Sequence, residues 1–222
     1  MKTIKLFLCL ILSGYVNSLF AQEESGNGAL FPQFEKGFVI FKNGAQTPAS
    51  LNYDLIQERM MFLDADGTVM TLNKSRDIVA VNIGERRFSP VSAQGAFYEV
   101  LQAGDNSFYV KRRAAVVSKG KAAAYGGYSQ TSSTTSYGSW YNTIGGTSKL
   151  NPDEQIKLEI KYTYYLKSGN SYKQFVSPKT LGKLFKGHES EIQEFADKNS
   201  INFSKTDDVA RIVEFVYGLN SK

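Results

Sequence analysis

Cysteine and histidine are almost absent from this chain of 222 residues, which contains one of each, Cys9 and His188. A disulfide framework, a thiol nucleophile and a thiolate metal site all need cysteine, and Cys9 lies in an N-terminal segment that we expect to be removed. His188-Glu189 has no second histidine four residues on, as a zinc motif would require. A Ser-His-Asp relay would have to use His188, but no Gly-x-Ser-x-Gly elbow is present. We therefore predict no metal and no cofactor, and expect His188 to lie at a helix junction or to cap a helix.

Other catalytic patterns are incomplete as well. Neither Gly126-Gly127 nor Gly145-Gly146 leads into the lysine and helix of a phosphate-binding loop. Asp64-Ala65-Asp66-Gly67 is typical of the start of a calcium loop, but the third oxygen donor and the closing glutamate are missing, so a hairpin turn is favoured. A carboxylate pair assembled by the fold has no fixed spacing, which leaves an unrecognised carboxylate-dependent hydrolase as one alternative. The prediction is a protein that is not an enzyme.

Long apolar runs are also missing, and the clearest short one lies at the N-terminus. There Lys2 and Lys5 precede the apolar run Leu6–Leu12, and the segment closes on Ala21. A positive start, a short apolar core and a small residue before a polar stretch predict a signal peptide over residues 1–21, cleaved near Ala21. A membrane-spanning helix needs about 20 apolar residues, so we expect no transmembrane segment in the mature chain. The protein is predicted to be exported, to the periplasm or to the cell surface.

A large excess of charge of one sign is absent too. The whole chain carries a formal charge of +5, and losing Lys2 and Lys5 with the signal peptide lowers it to +3. Domains that bind nucleic acids are usually more basic, so we predict no nucleic-acid partner. The remaining chain of about two hundred residues is long enough to bury an adequate core without disulfides.

What the sequence does contain, from Gly37 onward, is a series of short runs with a period of two. Turn residues such as Asn43-Gly44 separate them, which predicts about eight antiparallel strands before residue 118. The clearest strand lies later and is followed by a turn at Ser168-Gly169-Asn170 and by a partner strand from Tyr172 to Val176. Its apolar residues occupy every second position: Ile156, Leu158, Ile160, Tyr162, Tyr164 and Leu166.

The period changes to that of helices after this strand pair. Ser177 before Pro178 is a helix start, a second helix carries Ile192 and ends near Lys198, and Thr206 caps a third. The buried stripe of the third helix is predicted to be Val209, Ile212, Val213 and Val216.

These patterns predict the α+β class. An antiparallel β-rich domain over residues 37–176 forms a meander, a sandwich or a partly closed barrel, and about three short helices over residues 177–222 pack on the sheet. Residues 22–36 are predicted to be a flexible mature N-terminus, and residues 118–149 a low-complexity loop.

That loop lies in a basic, aromatic part of the chain. From Asn106 to Pro152 there is no carboxylate, and aromatic rings recur inside the loop. Aromatic faces stack on sugar rings, and cations attract acidic groups. Protection of a strand edge and ordinary loop composition account for the same residues, and both interpretations stay open. The candidate contact residues for a partner are Lys111, Arg112, Arg113, Tyr125, Tyr128, Tyr137, Trp140 and Tyr141.

Several short segments together resemble small exported proteins of Bacteroidota, a family whose members are uncharacterised. The segments are the Ala21-Gln22 cleavage site, Leu51-Asn52-Tyr53 with Met60-Met61-Phe62, the basic run before Ala124-Tyr125-Gly126, and the tail from Leu184-Phe185 to Ile192 and on through Asn199–Phe203. The resemblance implies an envelope location and implies no activity.

The function predicted from the sequence is therefore that of a non-enzymatic binding or structural accessory protein of the bacterial envelope. Its partner would be an envelope protein or a glycan. A carrier that holds a small apolar ligand inside a curled sheet is a second alternative, because the many Phe, Met and Tyr residues could line a cavity. Ordinary core packing accounts for these residues equally well.

Overall fold

The computed structural model of the protein describes residues 28–72, 77–91, 96–122, 128–129 and 154–219. They form an antiparallel sheet followed by a helical C-terminal unit, which confirms the predicted α+β class. The strands are β1 (Glu35–Phe41), β2 (Gln46–Asp54), β3 (Arg59–Leu63), β4 (Val69–Thr71), β5 (Ile78–Ile83), β6 (Arg86–Pro90), β7 (Phe97–Ala103), β8 (Asn106–Ala122), β9 (Tyr128–Ser129), β10 (Glu154–Ser168) and β11 (Ser171–Phe175). The helices are α1 (Pro178–Gly182), α2 (Glu189–Lys198) and α3 (Thr206–Leu219).

The sheet is open, with β4 and β11 at its two ends. Its strand order is β11-β10-β8-β7-β6-β5-β1-β2-β3-β4, and β9 pairs with β8 beside this path. Two meanders, β1 to β4 and β5 to β8, are joined through the β1–β5 pairing. The sheet curls enough for the Ala114 N–H on β8 to donate to the Leu55 carbonyl just after β2, at 2.8 Å. This contact connects two distant parts of the sheet without closing it into a barrel.

The turn between β3 and β4 is formed by Asp64-Ala65-Asp66-Gly67, as predicted. The Asp64 Oδ1 atom accepts hydrogen bonds from the N–H groups of Asp66, at 3.0 Å, and Thr68, at 2.8 Å. Gly67 takes a φ of 78°, which L side chains rarely adopt. The Asp64 carboxylate is thus engaged in shaping a hairpin turn.

Apolar side chains form two cores on the curled sheet. The first lies within the N-terminal strands and includes Leu51, Val81, Ile83 and Phe97, with Ala114 of β8 at its border. The second lies between the C-terminal strands and the helices. Its buried members include Phe108, Val110, Tyr164, Phe175, Leu181 and Ile192, together with the predicted α3 stripe of Val209, Ile212, Val213 and Val216.

The helical unit begins and ends close to the predicted positions. The Ser177 side chain accepts from the Thr180 N–H, and Thr180 bonds back to the Ser177 backbone, which makes a capping box at the start of α1. The α2 helix ends at Lys198, with Asn199 as its C-cap. None of the described helices is both long enough and apolar enough to cross a membrane.

An N-terminal strap, residues 28–33, runs along β2, although the sequence predicted a flexible segment over residues 22–36. Ala29 is 1% exposed and bridges to Asp54. The Asn52 side chain accepts from the Phe31 N–H, at 3.2 Å, and donates to the carbonyl of Gln33, at 3.1 Å. A buried amide that bonds to the strap backbone explains why these residues are held.

The β8 strand is also longer than the sequence indicated. It continues through Ala122, whereas the low-complexity loop was predicted to begin at Ser118. The added residues pair with β10 as far as Lys121 opposite Glu154. Because β10 supplies a long regular edge, it provides hydrogen-bond partners for residues whose own composition is not strand-like.

Candidate binding surface

Four tyrosines from four strands meet on the sheet face that points away from the helices. Tyr98 lies on β7, Tyr109 on β8, Tyr165 on β10 and Tyr172 on β11. Their neighbours along the strands, such as Tyr164, are buried in the core beneath the helices. Alternation along each strand therefore directs these four rings to the opposite side. We call Tyr98, Tyr109, Tyr165 and Tyr172 the tyrosine face.

The rings of the tyrosine face are in mutual contact. Tyr98 stacks on Tyr165, with ring centroids 4.8 Å apart and planes inclined by 19°. Tyr172 meets Tyr98 edge-on at 6.4 Å and Tyr109 edge-on at 5.1 Å. Each of the four side chains is only partly buried. The result is a continuous aromatic platform whose rings fix one another's orientation while remaining open to solvent.

The hydroxyl groups of this platform are also linked. Burial and a hydrogen bond to Tyr98 raise the pKa of Tyr165, and burial, the charge of Tyr109 and a hydrogen bond to Tyr109 raise the pKa of Tyr172. Both phenols are therefore neutral at physiological pH. A neutral phenol can donate and accept a hydrogen bond, which suits a ligand that carries hydroxyl groups.

Basic side chains border the platform on the same face. Lys111 and Arg113 follow Tyr109 at alternate positions of β8, and Lys161 precedes Tyr165 on β10. Lys161 lies directly opposite Arg113 in the β8–β10 register. Like charges opposite each other in a sheet repel, so a nearby anion would stabilise this pair. We call Lys111, Arg113 and Lys161 the basic rim.

One carboxylate already contacts the basic rim. Glu58, in the turn between β2 and β3, places Oε2 2.5 Å from Lys111 Nζ and Oε1 3.3 Å from Arg113 Nε. Its backbone φ of 57° is uncommon for a residue other than glycine. Glu159 lies on the same face of β10, two residues from Lys161. The three cations of the rim therefore exceed these two carboxylates by one positive charge.

Arg112 points to the opposite side of β8 and is not part of the surface. It is 5% exposed and forms an ion pair with Glu99, which is also 5% exposed. Arg86 binds the same carboxylate through two hydrogen bonds, of 2.7 and 2.8 Å. Burial lowers the pKa of Arg86 to about 10, and burial followed by the charge of Arg86 lowers that of Arg112. Both arginines stay protonated at neutral pH. Their ion pairs with Glu99 on β7 therefore connect β6 and β8 to that strand.

The remaining candidates from the sequence are distributed differently. Tyr128 begins β9, whose pairing with β8 is described, although its side chain is not. Four aromatic candidates lie outside the described residues: Tyr125, Tyr137, Trp140 and Tyr141. The predicted signal peptide over residues 1–21 also lies outside them. The structure thus places Lys111 and Arg113 on the same sheet face as four tyrosines that the sequence analysis had not singled out. Their signal was alternation, since residues 109, 111 and 113 share one face of β8 and residues 161 and 165 share that face of β10.

The side chains considered for catalysis occupy structural positions. His188 precedes α2, where its Nδ1 atom lies 3.4 Å from Glu191 Oε1 at the surface. Glu99 faces two arginines rather than a second carboxylate. Within the described ranges, no three His, Asp or Glu side chains are grouped so that they could hold a metal ion.

A carrier would need an apolar cavity within the curled sheet. Among the described residues, one groove of about 610 Å³ lies on the outside of α2. Polar and charged side chains line it: Glu189, Ser190, Gln193, Glu194, Asp197 and Lys198. It is an open groove along one helix and not a cavity within the sheet, so it is not the site that a carrier of this kind would use.

Comparison with models of known protein families, with curated proteins and with solved structures found no match to this chain. Conclusions about its function therefore depend on the residues and their arrangement.

Proposed function

We propose that the protein is an exported, non-enzymatic accessory of the bacterial envelope that binds an acidic glycan through the tyrosine face and the basic rim. The observation that carries this proposal is the contact among four partly exposed tyrosines from four strands, beside cations of the same face. The signal-peptide pattern of residues 1–21 supports the location.

Shape favours a sugar chain as the ligand. A ring that is stacked on one partner has its second face uncovered by that partner, and the apolar face of a sugar ring can lie on such a face. The neutral hydroxyls of Tyr165 and Tyr172 can exchange hydrogen bonds with sugar hydroxyls. The platform extends from β7 to β11, which suits an extended chain better than a single small molecule.

Charge favours a sugar chain that carries carboxylates. Arg113 on β8 lies directly opposite Lys161 on the paired strand β10. The Glu58 carboxylate forms ion pairs with Lys111 and Arg113, and no described ion pair involves Lys161. The carboxylate of a uronate on the ligand would lie between these two cations and would offset their repulsion. It would form charge-assisted hydrogen bonds with both. Such contacts at a surface are screened by salt, so binding should weaken as the ionic strength rises.

Calorimetric titration with two oligosaccharides of equal length tests the proposal. An oligogalacturonate carries carboxylates, whereas a cello-oligosaccharide is neutral. We expect the acidic oligosaccharide to bind more tightly, and the double variant Tyr98→Ala/Tyr165→Ala to weaken its binding about tenfold or more, because the stacked pair is lost.

Phe38→Ala is the matched control, because Phe38 is an aromatic side chain on β1 that is 47% exposed and lies outside the tyrosine face. It should leave the affinity unchanged. Equal affinity for the two oligosaccharides, or unchanged binding by the tyrosine variant, would contradict the proposal. Binding to neither, with capture of an envelope protein that depends on the same tyrosines, would contradict the glycan assignment.

A further inference from the structure

Among the strands that the structure describes, β10 has a pairing partner on one side only along part of its length. The β8 strand pairs with it from Glu154 to Tyr165, whereas β11 covers its other side only from Tyr164 to Ser168. Within the part of the chain that the structure describes, no backbone hydrogen bond from another segment reaches the second side at Leu158–Tyr162. A regular strand with unpaired N–H and C=O groups is a template for another strand. We call Leu158–Tyr162 the free edge.

The side chains along the free edge are self-complementary: when two copies of this edge run antiparallel, compatible side chains lie opposite each other. Leu158, Ile160 and Tyr162 are partly buried apolar residues on one face, and Glu159 and Lys161 are exposed residues of opposite charge on the other. If two copies of this edge run antiparallel about Ile160, Glu159 of each copy lies opposite Lys161 of the other, and Leu158 lies opposite Tyr162. Cross-strand pairs of this kind stabilise a sheet.

The charges also select the register. Centring the pairing one residue away, on Glu159 or on Lys161, would place that charged residue opposite its own copy, which is unfavourable. Charged residues on an edge strand commonly prevent unwanted pairing. Here their alternation excludes the neighbouring registers and favours the one centred on Ile160.

We propose that two copies of the protein associate through the free edge of β10, in an antiparallel register centred on Ile160. The two sheets then become one continuous sheet related by a two-fold axis perpendicular to it. This symmetry places the tyrosine faces of both copies on the same side. A long polymer could contact both at once, and its binding would gain from avidity. The association itself stands independently of what the tyrosine face binds.

A charge swap tests the proposal in the purified protein by sedimentation velocity over a range of concentrations. The wild-type protein is expected to form a dimer. Glu159→Lys alone and Lys161→Glu alone each place like charges opposite each other twice, so each should weaken dimerisation about tenfold. The double variant Glu159→Lys/Lys161→Glu restores opposite charges and should dimerise like the wild type.

Two further variants distinguish this interface from association through another surface of the protein. Glu194→Lys changes an exposed charge on α2 and should leave the dimer unaffected. In a Cys9→Ser background, Ile160→Cys should form a disulfide with its own copy, because the axis passes beside it, whereas Lys161→Cys should not. A protein that is monomeric at all concentrations would overturn the proposal, as would a dimer that the double swap fails to restore.

Discussion

Two buried tyrosines differ in what their hydroxyl groups contact. The Tyr164 hydroxyl donates to the Phe203 carbonyl at 2.9 Å, which ties β10 to the segment before α3. The Tyr53 hydroxyl is buried, and no described residue forms a hydrogen bond with it. Tyr164→Phe should therefore lower the free energy of unfolding by about 1 to 2 kcal/mol, whereas Tyr53→Phe should leave it unchanged or raise it slightly. Urea unfolding at pH 7 measures both, and an equal loss in the two variants would contradict the assignment.

Glu58 restrains the cations that we assign to the ligand. Its carboxylate contacts both Lys111 and Arg113. Glu58→Gln keeps the size of the side chain but removes its charge, so the two cations become free to bind an anion. We expect this variant to bind oligogalacturonate about threefold to tenfold more tightly, with no change toward the neutral oligosaccharide. Weaker binding of the acidic oligosaccharide would show that Glu58 supports the site rather than competing with the ligand.

Within single elements, two glycines differ in the space that is available for a side chain. A Cβ atom on Gly37 of β1 would lie 2.1 Å from the Asn82 carbonyl oxygen of β5, whereas one on Gly218 of α3 would meet no atom within 4 Å. Gly37→Ala should therefore destabilise the protein by about 1 to 3 kcal/mol through the β1–β5 pairing. Gly218→Ala should stabilise it by up to about 1 kcal/mol, because alanine favours a helix. Thermal unfolding measures both, and a stabilising Gly37→Ala would contradict the observed pairing of β1 with β5.

Individual elements could be predicted from the sequence where a local pattern is sufficient. Alternation identified β10, a hydroxyl before proline identified the start of α1, and the Asp64 turn followed from its composition. The extension of β8 to Ala122 could not be predicted, because it depends on the partner strand rather than on its own residues. The same holds for the strap, which is fixed by the Asn52 side chain 19 to 21 residues away in the chain.

The candidate site was predictable only in part, for a related reason. The run Lys111-Arg112-Arg113 indicated positive charge, but adjacent strand residues point to opposite faces, so Arg112 became part of a buried ion cluster. The tyrosine face combines strands separated by more than seventy residues, from Tyr98 to Tyr172. Only the strand order of the folded sheet brings these rings together.

For the molecule as a whole, the ionisation of tyrosines predicts a loss of stability in alkali. The pKa is raised, chiefly by burial, in five tyrosines: Tyr53, Tyr164, Tyr165, Tyr172 and Tyr217. Their contribution is fully present below the unfolded-state pKa of 10.0 and is lost as the pH rises above it. The lowered pKa values of Arg86 and Arg112 act in the opposite direction over the same range, but they involve fewer groups.

Urea unfolding between pH 9 and pH 11.5 measures this effect. We expect the free energy of unfolding to fall above about pH 10, and to fall less steeply in Tyr53→Phe, which removes one of the titrating groups. A free energy of unfolding that rises over this range would show that deprotonation of Arg86 and Arg112 outweighs that of the tyrosines. It would contradict the predicted loss of stability in alkali.

The most direct measurement of the central claim is the NMR spectrum of the tyrosine rings during titration with an oligogalacturonate. If the protein binds an acidic glycan on the tyrosine face, the ring signals of Tyr98, Tyr109, Tyr165 and Tyr172 will shift together. The signals of the buried Tyr53 and Tyr164 will stay in place, since these rings lie within the cores. Shifts confined to other tyrosines, or no shifts at concentrations where binding is saturated, would contradict the assignment of this surface.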